Sequence, residues 1–298
     1  MYTTTTSMDS SFNPTLIAGC GNFAASGELQ PSHASPHREG LADDLRRALQ
    51  EDGLHLHYQP IVCAQSGKLV SVEALVRWTH PRWGDLSPGE FIPVAEAAGL
   101  MVDLGQWVLT EACQRRRRWG EAGLVDDTFT ISVNVAGEQL DRPEFVAEVQ
   151  ATLLAAGLAP TALRLEITET AVATAMDVIA ARLDTLKALG IGLSMDDFGT
   201  GHSSLARLHQ LPVDTLKVDR AFLKLLNHRA DRHRFLKSVI AMAQALDLKV
   251  VVEGVESVEQ HQLLRELGCL CQGFYYARPT PEPDFSGFGG FARARTLQ

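Results

Sequence analysis

Asp196 and Asp197 are neighbouring carboxylates that close the apolar segment Gly192 to Asp196 and lead into Phe198-Gly199-Thr200-Gly201. Two adjacent ionised acids repel, and a divalent cation offsets that repulsion. Two such ions about 3.5 to 4 Å apart could share one aspartate while stabilising the attacking and leaving oxygens of phosphodiester cleavage. Glu166 lies inside Leu163-Arg164-Leu165-Glu166-Ile167, and Glu253 follows Val250-Val251-Val252. A lone carboxylate in such apolar company is costly, so these charges need cations. Glu73 and Asn134 also fall within or near the ends of strand-like runs. Carboxylates and an amide oxygen are hard donors that suit Mg²⁺ or Mn²⁺ better than zinc or copper. Lys217 and Asp219 share one strand face by the two-residue period. Beside a carboxylate cluster the lysine would orient a water or neutralise phosphate.

Most other polar residues have plainer readings. Asp177 and Asp184 fit helix caps or solvated positions, and Glu169 does so on its own. None of the ten histidines joins the acidic set. His55 and His57 share a strand face and His80 precedes Pro81, so these three read as structural or surface residues. His202 borders the glycine loop.

These side chains need elements to position them. Strand-like runs cover Leu54 to Pro60, Leu69 to Trp78, Phe129 to Val135, Leu163 to Ile167, Gly192 to Asp196, Thr215 to Val218, Lys249 to Glu253 and Leu270 to Tyr275. Helical patterns alternate with them over Pro88 to Ala98, Leu104 to Trp119, Pro143 to Ala156, Ala173 to Leu189, Ser203 to Gln210, Arg232 to Leu246 and Val258 to Leu267. Gly99, Gly157, Gly190 and Gly268 follow four of them as stops. The alternation predicts an α/β fold, a modified TIM (β/α)8-like barrel with parallel strands. Cys63 to Lys68 is too short for a helical crossover, so the first strand pair is expected to be antiparallel. Glu73 is then expected to reach the common mouth from a reversed strand.

Residues 1–39 are rich in Thr, Ser, Pro, His and Gly without periodicity and read as a flexible leader. A helix is expected from Leu41, a domain over 40–284 and a tail over 285–298. The net charge of −9 argues against a broad surface for duplex nucleic acid. The run Arg115 to Arg118 fans around a helix and reads as a solvated end, not a binding stripe. Five cysteines without metal spacing suit a reducing cytoplasm, and Cys269 and Cys271 read as small strand residues on one face. No run approaches the ~18 apolar residues of a membrane span, so no membrane partner is expected. Ile17-Ala18-Gly19-Cys20 looks like a lipoprotein box but lacks the basic and apolar stretch before it.

Taken together, Tyr58-Gln59-Pro60-Ile61, Glu73-Ala74-Leu75-Val76-Arg77-Trp78 with His80-Pro81, Asn134, Glu166-Ile167-Thr168-Glu169, Asp196-Asp197-Phe198-Gly199-Thr200-Gly201, Lys217-Val218-Asp219, Glu253-Gly254-Val255-Glu256 and Gln272-Gly273-Phe274 resemble the EAL-domain family of c-di-GMP phosphodiesterases over about residues 41–282. The resemblance implies hydrolysis of c-di-GMP to linear pGpG with two Mg²⁺ or Mn²⁺ ions. Glu73, Asn134, Glu166 and Asp196 would hold one ion, and Asp196, Asp197 and Glu253 the other. Lys217 would contact the hydrolytic water and Glu253 would serve as a candidate base, with Gln272 and Glu256 in support. Gln59 and Arg77 would contact substrate. Glu169 would anchor the loop Phe198 to Ser204, which the family links to a homodimer surface. His202 and Phe274 stand where the family often has tyrosine. Regulatory partners and input are not legible. The competing reading is a receptor that binds c-di-GMP without cleaving it, or a non-catalytic protein-interaction module, and a general nuclease is disfavoured by the acidic charge and the absence of a basic track.

Overall fold

In the computed structural model the described residues are 40–286, apart from 52, 173–175, 199–207, 209 and 225–229. Their strands are β1 (Leu54–Cys63), β2 (Leu69–His80), β3 (Gly84–Leu86), β4 (Thr130–Val135), β5 (Leu163–Thr168), β6 (Gly192–Phe198), β7 (Thr215–Val218), β8 (Lys249–Val252) and β9 (Leu270–Gln272). They pair in the order β1-β9-β8-β7-β6-β5-β4-β2-β3, and β1 also pairs with β2. The sheet therefore closes into an eight-stranded barrel, with the short β3 added outside the ring.

Helices α1 (Leu41–Gln50), α2 (Pro88–Ala97), α3 (Met101–Glu121), α4 (Gly137–Leu140), α5 (Phe145–Ala156), α6 (Met176–Ala188), α7 (Ala221–Lys224), α8 (Ala230–Ala245) and α9 (Val258–Leu267) accompany the strands. α5 and α9 stop at Gly157 and Gly268, both left-handed as the sequence predicts. The expected helix Ser203 to Gln210 falls almost wholly outside the described residues, as does His202.

The antiparallel first pair is present, but its orientation corrects one expectation. β2, which carries Glu73, runs parallel to β4 with Glu73 opposite Ser132. The reversed strand is β1, antiparallel to both β2 and β9. A tight turn after Cys63 demands that one strand of the pair reverse, yet only closure against β9 decides which.

The two faces of the sheet have different chemistry. Ile131, Val133, Leu165, Leu193, Leu216, Val250 and Val252 point outward and are buried. Each such side chain stabilises the fold by about 1.5 to 3 kcal/mol. The inner face carries polar residues at period two, which is how the barrel comes to hold a charged centre.

Polar anchors join the periphery. His80 Nδ1 accepts from the backbone N–H of Arg82 (3.1 Å) and Trp83 (3.3 Å), leaving its Nε2–H for Asp44 at 3.0 Å. This side chain thereby pins α1 to the β2–β3 hairpin, and its structural reading holds. The arginine run differs from expectation. Arg116 is buried and donates to the carbonyls of Phe129 (2.9 Å) and Asp126 (2.7 Å). Arg115 instead pairs with Glu282 at 2.6 Å. A helix end that faces a neighbouring strand entrance cannot leave all four guanidinium groups in solvent. Phe285 packs on Trp119 and Phe129, with ring centroids 5.1 and 6.0 Å away. Cys63, Cys113, Cys269 and Cys271 are free thiols.

Candidate active site

Register explains how scattered motifs meet. Gln59 lies opposite Glu73, Asn134 opposite Glu166, and Asp196 two residues beyond Ser194, itself the partner of Glu166. Parity then carries the inner face through Lys217, Glu253 and Gln272, so all eight side chains aim into the barrel.

Lys217 occupies the centre. Its Nζ lies 2.5 Å from Glu166 Oε2, 2.7 Å from Glu253 Oε1, 3.2 Å from Asp196 Oδ2 and 3.3 Å from Glu73 Oε2. Glu73 also accepts from Asn134 Nδ2 and Gln272 Nε2, both at 2.7 Å. Gln272 Nε2 donates in addition to Gln59 Oε1 at 2.9 Å, and Gln59 donates to the Ala277 carbonyl at 3.4 Å. With its Nδ2 committed to Glu73, Asn134 keeps its carbonyl oxygen for another partner.

Asp196 and Asp197 sit at an irregularity in the β6–β7 register between Met195 and Phe198. Asp197 is left-handed, with φ of 56°, and its backbone N–H donates to Asp196 Oδ1 at 2.8 Å. Aspartate tolerates this conformation better than most residues, and a strand irregularity re-aims side chains near sites. A regular strand would have sent the two acids to opposite faces.

Electrostatics separates the carboxylates. Burial pushes Glu73 up most strongly, but Lys217 and the hydrogen bonds from Gln272 and Asn134 outweigh it and hold this carboxyl below its usual range. For Glu166 burial wins over Lys217, raising the carboxyl to about 8. Burial and then Asp196 raise Asp197 to about 7. Burial likewise raises Asp196, and it lifts Glu253 well above the ordinary range. Burial acts against the charge of Lys217 too, but the surrounding acids keep its ammonium firmly protonated.

One ammonium thus faces Glu73, Glu166, Asp196, Asp197 and Glu253, more acid than it can neutralise. Among the described residues no three acids, imidazoles or thiols already surround one point as a metal's ligands would; the four that converge do so on Lys217. The donor set nevertheless fits cations. Glu166 Oε1 is buried without a hydrogen-bond partner, and burial is holding protons on groups that positive charge would ionise.

The remaining expected residues surround this centre. Arg77 lies on β2 beyond Glu73 and donates to the Val76 carbonyl at 2.8 Å. Glu256 is exposed after β8 and lines a cavity of about 30 Å³ at the mouth with Gln59, Glu73, Glu253, Gln272 and Phe274. Glu169 follows β5, but of its expected partner loop only Phe198 is a described residue. Sequence reasoning passed over Arg220, which lines the same cavity. Its one signal was a cation directly after the Lys217-Val218-Asp219 strand end.

Comparison with known proteins bears on this arrangement. The family model for the EAL domain matches residues 42–279. The chain belongs to the EAL domain family. This EAL domain is 44% identical over 242 residues to the bifunctional diguanylate cyclase/cyclic di-GMP phosphodiesterase MucR of Pseudomonas aeruginosa, covering 81% of the chain and 35% of that relative. It is 45% identical over 242 residues to the cyclic di-GMP phosphodiesterase NbdA of the same organism, covering 81% of the chain and 31% of the relative. The chain therefore spans about a third of the length of these relatives. Among solved structures, the PaMucR phosphodiesterase in complex with c-di-GMP superposes on the EAL domain with a TM-score of 0.76 at 43% identity, covering 81% of this chain and 97% of that one. The EAL enzyme Bd1971 with cAMP and cyclic-di-GMP superposes with a TM-score of 0.74 at 31% identity, over 80% of this chain and 65% of that one. Among the described residues no helix is long and apolar enough to cross a membrane.

Proposed function

We propose that this protein is a cyclic-di-GMP phosphodiesterase that hydrolyses c-di-GMP to linear pGpG. The observation that carries the reading is the convergence of Glu73, Glu166, Asp196 and Glu253 on Lys217 inside the mouth of the barrel. Barrels of this architecture build their sites at this end of the strands, and the relatives with the same fold are named for this reaction.

Glu73, Asn134, Glu166 and Asp196 would hold one divalent ion, and Asp196, Asp197 and Glu253 a second. Bound Mg²⁺ or Mn²⁺ supplies the charge that lets these acids ionise, lowers the pKa of water and stabilises the leaving oxygen. Lys217 orients the attacking water and offsets charge developing on phosphate. Glu253, held 2.7 Å from Lys217 Nζ beside the position of that water, is the candidate acceptor of its proton. Gln272 steers Glu73 through its amide, and Glu256 lies at the same cavity to support the water. Gln59 and Arg77 meet the substrate around the rim.

The reading extends to a cytoplasmic setting, supported by the free thiols of Cys63, Cys113, Cys269 and Cys271. Homodimerisation through the surface linked to Glu169 rests on the family alone.

Incubation of the purified full chain with c-di-GMP and Mg²⁺ or Mn²⁺ tests the reading by the appearance of linear product. Glu73→Ala and Glu253→Ala are expected to abolish it. Metal-saturated wild type that binds c-di-GMP without forming product would establish a receptor instead, and unchanged turnover in both variants would overturn the site.

A further inference from the structure

A negative mouth that receives an anionic substrate needs a cation free to touch it, and the described residues near the mouth differ in this respect. Lys217 is committed to four carboxylates. Arg77, which the phosphodiesterase reading also brings to the substrate, spends one donor on the Val76 carbonyl and does not line the mouth cavity, and the guanidinium of Arg278 lies over the Phe274 ring at 4.2 Å. Among the described residues that line the mouth cavity Arg220 is the one cation, and it shares the lining with Glu253, Glu256 and Phe274. It is half-buried; its carbonyl accepts from the backbone N–H of Leu223 at 3.0 Å, and among the described residues its guanidinium takes part in no hydrogen bond or ion pair.

The backbone beside it is shaped for its presence. Gly254 has φ of +68°, and a Cβ built there would fall 2.3 Å from Arg220 Cβ and 3.3 Å from its Cα. Glycine at 254 therefore does two things at once: it permits the left-handed turn after Glu253 and lets the Arg220 stem cross that turn closely. A half-buried arginine ordinarily satisfies its donors within the fold. This one holds its stem against the turn and leaves its five-donor fork without a partner among the described residues, at a cavity lined by acids.

We propose that Arg220 grips a phosphodiester of the substrate, its guanidinium donating two charge-assisted hydrogen bonds to the non-bridging phosphate oxygens. This rests on the phosphodiesterase reading and deepens it by adding a substrate-binding residue. The planar fork matches a phosphate's two oxygens in a way that an ammonium cannot. The position also helps a chain of net charge −9 to draw an anion to this opening: a local cation beside the carboxylates adds attraction that the overall charge does not.

The test uses the full chain with c-di-GMP and Mn²⁺, measuring KM and kcat by product formation, Kd by calorimetry and Tm by thermal melting. Arg220→Gln and Arg220→Met are expected to raise KM and Kd about 10- to 100-fold, with Tm unchanged because the guanidinium has no partner among the described residues to lose. Arg220→Lys is expected to recover only part of the affinity, and the salt dependence of KM should weaken in the neutral variants. Wild-type KM and Kd in both neutral variants, while wild type turns over normally, would overturn the role of Arg220 alone. A drop in kcat with KM and Kd unchanged would also overturn it. Wild type that neither binds nor cleaves c-di-GMP would overturn the phosphodiesterase reading and this inference together.

Discussion

The ammonium of Lys217 lies 2.5 Å from one oxygen of Glu166, while the other oxygen of that carboxylate is buried and has no hydrogen-bond partner among the described residues. Half of the carboxylate is thus satisfied within the fold and half is left for something else. Lys217 gathers the acids but does not finish neutralising them.

Removing Lys217 should therefore damage both folding and chemistry. Lys217→Met leaves Glu73, Glu166, Asp196 and Glu253 without their shared partner. Loss of one side of a buried ion pair costs about 3 to 5 kcal/mol, and loss of a charge-stabilising donor costs about 10²- to 10³-fold in rate. Denaturant unfolding and c-di-GMP turnover check the two effects separately. A variant as stable and as fast as wild type would contradict the central position given to this residue.

The metal-free protein should become less stable as its acids are forced to ionise. Glu166 is raised to about 8 and Asp197 to about 7, from ordinary values of 4.5 and 3.8. A group raised on folding contributes stability that is complete below its unfolded value and is lost as pH climbs through the folded one. That contribution falls between about pH 4 and pH 8. Divalent cations bind the ionised form, so the rise in Tm on adding Mg²⁺ should be larger at pH 8 than at pH 5. Equal rises at both pH values would count against cations at these carboxylates.

Asp214 gives the opposite sign at the other end of the barrel. Burial pushes it up, but Arg164 and Lys187 outweigh burial and hold it at about 2, below its ordinary 3.8. Its contribution is present above the unfolded value and is lost as pH falls through the folded one. Asp214→Asn should cost about 2 kcal/mol at neutral pH. The difference from wild type should close as the pH approaches 2, which acid titration of both proteins would show. A gap that persists undiminished at low pH would rule out the charge as its origin.

His80 should prove structural. His80→Ala removes the hydrogen bond to Asp44 and the acceptor for the Arg82 and Trp83 N–H groups. The expected loss is about 1 to 3 kcal/mol, seen as a lower Tm, with KM for c-di-GMP unchanged. A selective change in KM at unchanged Tm would move His80 from the scaffold to the site.

The sequence by itself determined the kinds of residue and their order. The acids in apolar strands, the Asp196-Asp197 pair, the lysine on a strand face and the alternation of elements were legible because period and burial cost act locally. Even the antiparallel first pair followed from a turn too short for a crossover. Tertiary structure decided the rest. It made β1 the reversed strand and left Glu73 on a parallel one, because barrel closure is a contact between chain ends. It placed Lys217 among four acids, three drawn from other strands and Glu253 from just past the end of β8, a matter of register that no local window contains. It buried Arg116 through carbonyls supplied by another segment. And it set Arg220 at the mouth across the turn at Gly254, since an arginine after a strand looks the same in sequence whether or not its donors find partners in the folded chain.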